Sequence, residues 1–399
     1  MRRDPRCLGG EGRTGARAGL AARLARPGSA REAVTVPLYA RPVETPLTLS
    51  DVEARALDRI DPDWGEFLAG GAGVERTLRA NVAAFADWHL RQRVLCGIES
   101  ASTETTVLGH AVASPVIVAP VAYQRMAHPD GEEGLARAAA AAGSAFCLST
   151  FATASPADVA AAAPDCTRFL QVYVFRDHGI TAELIAEAID AGYTAVFLTV
   201  DLPLPGPRDR ERRIHWSFDD SSLPAVRRAV DAATRGEGEA LHLLDPALDW
   251  AYLERLTSAL PVPVIVKGIL DPEDAARAAD HGAAGIVVSN HGGRQLDGAR
   301  PTLEALPPIV DAVGNRLEVL FDGGIRRGTD AATALALGAK GVLAGRMPLW
   351  GLAAAGEDGA REVLELLREE LAIALHLTGC RSVADLSPES LVRRDRSGL

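Results

Sequence analysis

From residue 115 onward the hydrophobic positions fall into short unbroken runs, separated by longer stretches with helical spacing. The runs are PVIVAP (115–120), FCLST (146–150), RFLQVYV (168–174), AVFLTVD (195–201), VPVIVKG (262–268), GIVVSN (285–290), LEVLFDGG (317–324) and GVLAGR (341–346). Strands apolar on both faces belong in a parallel sheet that is covered on both sides. Between them lie alanine-rich amphipathic segments such as EEGLARAAAAAG and HGITAELIAEAIDAG, several of which close on glycine. SPAD, DPED and GTDA read as helix starts. Eight alternating units predict an α/β fold, a (β/α)8 TIM barrel. A doubly wound sheet is the rival, but it rarely needs eight strands and more often carries an early GxGxxG turn.

The remaining segments extend this frame. Residues 46–110 predict a helical leader that caps the barrel, and REVLELLREELAIALHLTGC predicts a long C-terminal helix. One connection, residues 202–249 after the fourth strand, is far longer than the others and contains PLPGPRDRERR, DDSS and RGEGE. On the catalytic side of a barrel, such a loop is expected to serve as a lid. Residues 1–45 hold nine arginines against four acids with no hydrophobic period, so they are expected to be a disordered extension. An organellar transit peptide or an over-long start is the alternative there. A secretory signal is not expected, because no apolar segment follows the arginines. Residues 46–392 are expected to form the barrel domain and 393–399 a tail.

Composition narrows the class. At 399 residues and 47% hydrophobic the chain can bury a large core. A formal charge of −11 argues against nucleic acid as a main partner. No apolar run reaches the roughly 18 residues of a membrane span. The cysteines (Cys7, Cys96, Cys147, Cys166, Cys380) are odd in number and lack metal-ligand spacing, so they read as reduced, mostly buried thiols of a cytoplasmic protein that binds no metal. Only Lys267 and Lys340 are lysine among 42 basic residues, and a lysine that survives such a bias invites a functional reading.

Residues leaving the C-terminal ends of barrel strands converge on one mouth. Those positions carry Ser149, Gln171, Tyr173, Thr199, Asp201, Lys267, Ser289, His291, Arg294, Asp322 and Arg346. Within SNHGGRQLDG (289–298) a base, a fixed cation and an acid gather at one strand exit. A lone histidine or an Arg/Asp pair is usually structural; polar groups from so many strands at the same end predict a reaction centre. DGGIRRG (322–328) and AGRM (344–347) set glycines beside Arg326 and Arg346, where barrels commonly bind phosphate through backbone N–H groups and guanidinium contacts.

Taken together, SNHGGRQLDG, VKGIL, LTVD, QVYVF, MAHPDGE and DGGIRRGTDAATALALGAKGVLAGR strongly resemble the FMN-dependent α-hydroxy acid oxidases and dehydrogenases, the glycolate oxidase-like family. The likeness covers about residues 46–392, and the leader WGEFLAGGAGVERTLRANVAAF resembles the para-hydroxymandelate oxidase branch. The resemblance implies oxidation of an (S)-2-hydroxy acid to the keto acid. An aromatic substrate is expected, with oxygen as acceptor and hydrogen peroxide as product. It makes His291 the base, Asp201 its partner carboxylate and Tyr173 the hydrogen-bond partner of the substrate hydroxyl. Arg294 and Arg208 become the carboxylate anchors, and Lys267 the cation that stabilises reduced FMN. Pro120, Val121, Ala122, Ser149, Gln171, Thr199 and Ser289 match flavin-contacting positions. Asp322, Gly323, Gly324, Ile325, Arg326, Gly345 and Arg346 match the ribityl-phosphate cradle. Family habit implies a homotetramer.

The chain also departs from the pattern. Phe67 stands where many relatives have a tyrosine, Phe151 where glycolate oxidases have a tryptophan, and prolines surround Arg208. The first two disfavour short hydroxy acids. A lactate- or glycolate-type enzyme, another electron acceptor, and a flavin-binding barrel that no longer turns over remain the alternatives.

Overall fold

A computed structural model of the chain describes residues 47–214, 223–232, 240–313 and 315–394. The extension expected at 1–45, and the DDSS and RGEGE segments of the long connection, lie outside the described residues. The described chain opens with helices α1 (Val52–Leu57), α2 (Pro62–Ala69) and α3 (Arg76–Ala83), then strand β1 (Trp88–Leu90) and the hairpin β2 (Thr105–Val107) and β3 (His110–Val112). Eight parallel strands then close into a barrel in sequence order: β4 (Val116–Val118), β5 (Phe146–Leu148), β6 (Arg168–Val172), β7 (Val196–Thr199), β8 (Val264–Ile269), β9 (Gly285–Val288), β10 (Glu318–Asp322) and β11 (Gly341–Ala344). Each observed strand lies within or beside one of the apolar runs. Most runs continue one to three residues past the sheet, because their polar ends turn out of the ladder toward the mouth.

Helices follow the strands: α4 (Gly131–Ala142), α5 (Pro156–Ala162), α6 (His178–Asp190), then α7 (Asp209–Arg213) and α8 (Pro224–Ala232) inside the long connection, and α9 (Trp250–Ala259). The remainder are α10 (Pro272–Asp280), α11 (Thr302–Val313), α12 (Gly328–Ala336) and α13 (Arg346–Thr378). Local chemistry starts them where the pattern said. Ser155 and Asp158 form a reciprocal capping box before α5, and the Asp271 carboxylate accepts from the Glu273 N–H before α10. At GTDA the capping group is Asp330, whose carboxylate accepts from the N–H groups of Arg326 and Arg327. Within α13, Ala355 and Gly356 leave the helical backbone, so one long segment serves as the last barrel helix and then as the expected C-terminal helix. Leu391–Arg393 form β12, antiparallel to β1.

The barrel interior is a packed layer with one residue from each strand: Ile117, Cys147, Phe169, Phe197, Ile265, Val287, Leu320 and Leu343. Val107 and Val112 of the hairpin join this cluster, and the Leu108 N–H donates to Glu318 at the first residue of β10. The hairpin therefore plugs the N-terminal end. At the opposite end Phe67, Leu68, Leu78, Asn81 and Val82 of the leader helices face the mouth. The expected cap thus covers both ends. Among the described residues Cys147, Cys166 and Cys380 are buried free thiols and Cys96 is an exposed one, in line with the expectation of mostly buried cysteines.

Phe169 is fully buried and stacks on Phe197 with ring centroids 5.4 Å apart. Phe169→Ala is expected to destabilise the protein by about 3–5 kcal/mol in urea unfolding followed by circular dichroism. A loss below about 1 kcal/mol would mean that the layer collapses around the missing ring.

Candidate active site

Alternation along a strand turns the packed layer into a reactive one. Two residues beyond the interior layer stand Ala119, Ser149, Gln171, Thr199, Lys267, Ser289, Asp322 and Gly345. All but Ser289, which is fully buried beneath it, line a cavity of about 530 Å3. Two residues further come Phe151, Tyr173, Asp201 and His291. The cavity is also lined by Pro120, Val121, Ala122, Gly323, Gly324, Ile325, Arg326, Arg346, Arg294, Arg208 and Phe67. The structure thus brings the expected site residues to one mouth.

His291 has a left-handed backbone, φ 59°, unusual for a residue with a side chain and held in place by the turn around it. The Asn290 carboxamide accepts from the Gly293 N–H and exchanges hydrogen bonds of 2.8 Å with Asn81 of α3. The His291 ring lies with Nδ1 2.9 Å from Asp201 Oδ1 and Nε2 3.3 Å from the Tyr173 hydroxyl. Burial acts to raise the Asp201 pKa, but the His291 ring and the Lys267 ammonium pull it below the ordinary carboxylate value. An ionised carboxylate only accepts, so Nδ1 carries the proton and Nε2 is the free lone pair toward the cavity. Burial, opposed by Asp201, lowers the His291 pKa, which keeps the ring neutral. Burial and the Asp201 charge raise that of Tyr173, so the phenol stays protonated and donates to Nε2.

Lys267 lies at a β8 irregularity. Gly268 has φ 115°, and a Cβ there would sit 2.6 Å from the Asp201 Cβ, so glycine is what lets the carboxylate pass. The Lys267 ammonium donates to Ser289 Oγ at 3.0 Å and pairs with Asp322 Oδ2 at 3.1 Å. Burial opposes its charge, but Asp322 and Asp201 outweigh it and hold the pKa above the ordinary value. Asp322, expected beside a phosphate, is thus first a lysine partner.

The arginines are tied to the leader. Arg294 Nη1 donates to the carbonyls of Phe67 and Gly70 at 2.7 and 2.8 Å, with its guanidinium 4.8 Å from the centroid of the Phe67 ring. Arg346 donates to Leu68, Gly70 and Gly292 carbonyls, and Arg326 pairs with Glu53 at 3.0 Å. Gly324, expected to admit an anion, has a second reason to be glycine. A Cβ there would meet the Asn81 carbonyl at 2.4 Å, so the residue makes room for α3.

Two polar members of SNHGGRQLDG turn away from the cavity. The Asp297 carboxylate accepts from the Val74 and Thr77 N–H groups and so caps α3. The Gln295 carboxamide donates to the carbonyls of Asp201 and Leu204 and ties down the start of the long connection. Sequence reasoning missed Asn81, Tyr123, Leu202 and Glu211, all of which line the cavity. Asn81, a polar residue three beyond Leu78 on an inward helix face, carried a signal; Glu211 carried only its place three residues after Arg208.

Fold and site together define a TIM-barrel enzyme with its reaction centre at the C-terminal face. The chain belongs to the FMN-dependent dehydrogenase family, whose model matches residues 56–393, and is an FMN-dependent oxidoreductase acting on CH–OH donors. It is 42% identical to the L-lactate oxidase of Nostoc sp. over 88% of this chain and 99% of the relative. It is 40% identical to human 2-hydroxyacid oxidase 1 over 88% and 97%. Among solved structures, mandelate oxidase with benzoyl-formic acid superposes with a TM-score of 0.79 at 42% identity, covering 88% and 99%.

The residues present fit FMN. The cavity is roomy, Ser149, Gln171 and Thr199 give its floor neutral polar groups, and Lys267 gives it a buried cation. Asp322 Oδ1 is buried with no hydrogen-bond partner, an acceptor aimed at a ligand hydroxyl such as the ribityl chain carries.

A base whose pKa lies below the ordinary histidine value remains neutral further into acid. The acid limb of kcat/KM is therefore expected below about pH 6.5. Asp201→Asn removes the charge that raises His291, so the limb should move lower still while the rate falls. A pH series of steady-state rates checks both, and a limb above about pH 6.5 would contradict a neutral buried His291.

Proposed function

We propose that this FMN-dependent 2-hydroxy acid oxidoreductase acts on (S)-2-hydroxy acids with an aromatic side chain, of the mandelate or 4-hydroxymandelate type. The observation that carries this is the aromatic wall of the cavity. Phe67 meets Tyr123 edge-to-face at 5.9 Å, and Phe151 stacks on Tyr173 at 5.1 Å. Sequence identity does not choose between substrates, since lactate oxidase and mandelate oxidase are equally similar to the chain. The cavity does.

In this reading Arg294 and Arg208 hold the substrate carboxylate by charge-assisted hydrogen bonds, which lysine could not make in the same paired geometry. The Tyr173 phenol donates to the substrate hydroxyl and the carbonyl that develops from it. His291 Nε2 takes a proton from the substrate, and Asp201 stabilises the imidazolium at Nδ1. FMN, when bound, supplies the acceptor for the electron pair. Pro120, Val121, Ala122, Ser149, Gln171, Thr199 and Lys267 would hold its ring system, while Ser289, which does not line the cavity, would act through its hydrogen bond with Lys267. Asp322, Gly323, Gly324, Ile325, Arg326, Gly345 and Arg346 would hold its ribityl phosphate. The same proposal carries oxygen as acceptor, which the oxidases among the relatives support, a homotetramer, which rests on the resemblance, and a cytoplasmic location, which rests on the cysteine usage.

A small acid gains little here. Phe67 cannot donate to the carboxylate, a contact worth about 1.5–3 kcal/mol where a tyrosine makes it. Burying an aryl ring recovers roughly 1.5–3 kcal/mol, with edge contacts adding about 0.5–1.5 kcal/mol. Mandelate and 4-hydroxymandelate are therefore expected to exceed lactate and glycolate by more than about tenfold in kcat/KM, and Phe67→Tyr to narrow the gap. Lactate or glycolate turned over equally well would move the enzyme to the short-chain class.

His291→Ala should lower substrate oxidation by about 10²–10⁴-fold, the usual loss of a general base. Binding of benzoylformate, which needs no proton removed, should stay within roughly threefold, which is less than about 0.7 kcal/mol. Near wild-type turnover would take the base role away from His291.

A further inference from the structure

The reading of Arg208 and Arg294 as carboxylate anchors leaves one neighbour unexplained. Glu211, three residues beyond Arg208 on α7, puts its carboxylate between the two guanidiniums. Its Oε1 lies 3.0 Å from Arg294 Nη2 and 3.1 Å from Arg208 Nη1, and Oε2 accepts from the same Arg208 nitrogen at 3.3 Å. All three side chains are largely buried, with 15%, 12% and 22% of their surface exposed for Arg294, Arg208 and Glu211. Among the described residues, Glu211 is the acidic side chain that pairs with either arginine. One carboxylate oxygen shared by two guanidiniums is also what a substrate carboxylate would provide in that place.

We propose that Glu211 is the resident carboxylate of the substrate-anchoring cradle: it occupies the cradle when no substrate is bound and is exchanged for the carboxylate of the incoming hydroxy acid. The physical reason for keeping such a group is charge. Two guanidiniums facing one another in a closed mouth repel and desolvate each other unless an anion lies between them. Glu211 keeps them aimed at a common point, so that the incoming anion meets a formed site. The consequence is a weaker apparent affinity, because a ligand captures only the fraction of molecules whose cradle is open.

The element that carries Glu211 is built for a local exchange. Helix α7 is five residues long, none of them is fully buried and none is apolar, so a shift of Glu211 breaks little apolar packing. Its outer side is tethered by Arg210, which pairs with Glu75 at 2.6 Å and Glu66 at 3.2 Å on the leader. Arg208 itself is anchored through the backbone, where the Gly73 N–H donates to the Pro207 carbonyl at 2.7 Å and Gly73 bridges to Arg208. Glu211 can therefore leave while the arginine it served stays in position.

The inference rests on the proposed carboxylate-binding role of Arg208 and Arg294, and the experiment separates the two. Phenylacetate and its neutral counterpart phenylacetamide are titrated into oxidised holoenzyme by calorimetry, for the wild type, Glu211→Gln and Glu211→Asp. Glu211→Gln should bind phenylacetate at least about tenfold more tightly, a gain of about 1.4 kcal/mol. Binding of phenylacetamide should change less than about twofold. Glu211→Asp, which keeps the charge on a shorter stem, should fall between wild type and Glu211→Gln. Equal or weaker binding of phenylacetate by Glu211→Gln would overturn the proposal and make Glu211 a positioning group for the arginines. So would equal tightening of acid and amide, which marks a loosened mouth. If no variant, wild type included, prefers phenylacetate to phenylacetamide, the cradle reading itself fails and the proposal falls with it.

Discussion

Lys267, Arg294 and Arg346 are among the cations that line one barrel mouth, and compensating them is the constraint on which the rest of the structure depends. A buried charge survives only when paired and hydrogen-bonded. Lys267 has Asp322 and Ser289, Arg294 has Glu211 with two leader carbonyls, and Arg346 has three carbonyls. Most of those carbonyls belong to the C-terminal end of α2, where a helix leaves acceptors unsatisfied and carries partial negative charge. The leader therefore docks on the barrel through the arginines of the site. Cap and reaction centre are one electrostatic unit, which is why residues so far apart in the chain line a single cavity.

The same economy of partners sets His291, the proposed base. His291 is held with a strained backbone by Asn290, which is itself held by Asn81 of the leader. Asp201 reaches the imidazole because Gly268 leaves it space. Strain of this kind persists where the surroundings over-determine it, and here they fix the lone pair of Nε2 toward the cavity. Hydrogen bonds hold His291 through Asp201 and Asn290, whereas the contacts of α7 are polar and it buries little apolar surface. That division suits the proposed function, in which a base stays fixed while a substrate is admitted.

Much of this was legible along the chain because parallel strands have a period of two and a common direction. Once Ile117, Phe169, Ile265 and their counterparts are read as interior, Gln171, Lys267 and Asp322 must stand at the mouth, two residues later. Capping chemistry likewise announced α5 and α10. Where the reading stopped short, the missing information was a partner. Nothing near Asp297 said that its carboxylate would cap α3, some 220 residues away in the chain. Nothing in RDRER said that Glu211, and not Asp209, would enter the cradle.

The sequence by itself determined the barrel, the order of its strands and the set of side chains that converge on its C-terminal face. Those follow from local propensity and from alternation, which act over a few residues. Only the tertiary structure decided which acid pairs with which base. Ionic and hydrogen-bond pairing depends on distance in space, and the leader, the strand exits and the long connection meet only after the barrel has closed. Asp322 became the partner of Lys267, and Glu211 that of Arg294, for this reason. Gly324 owes its place as much to the close approach of α3 as to any anion.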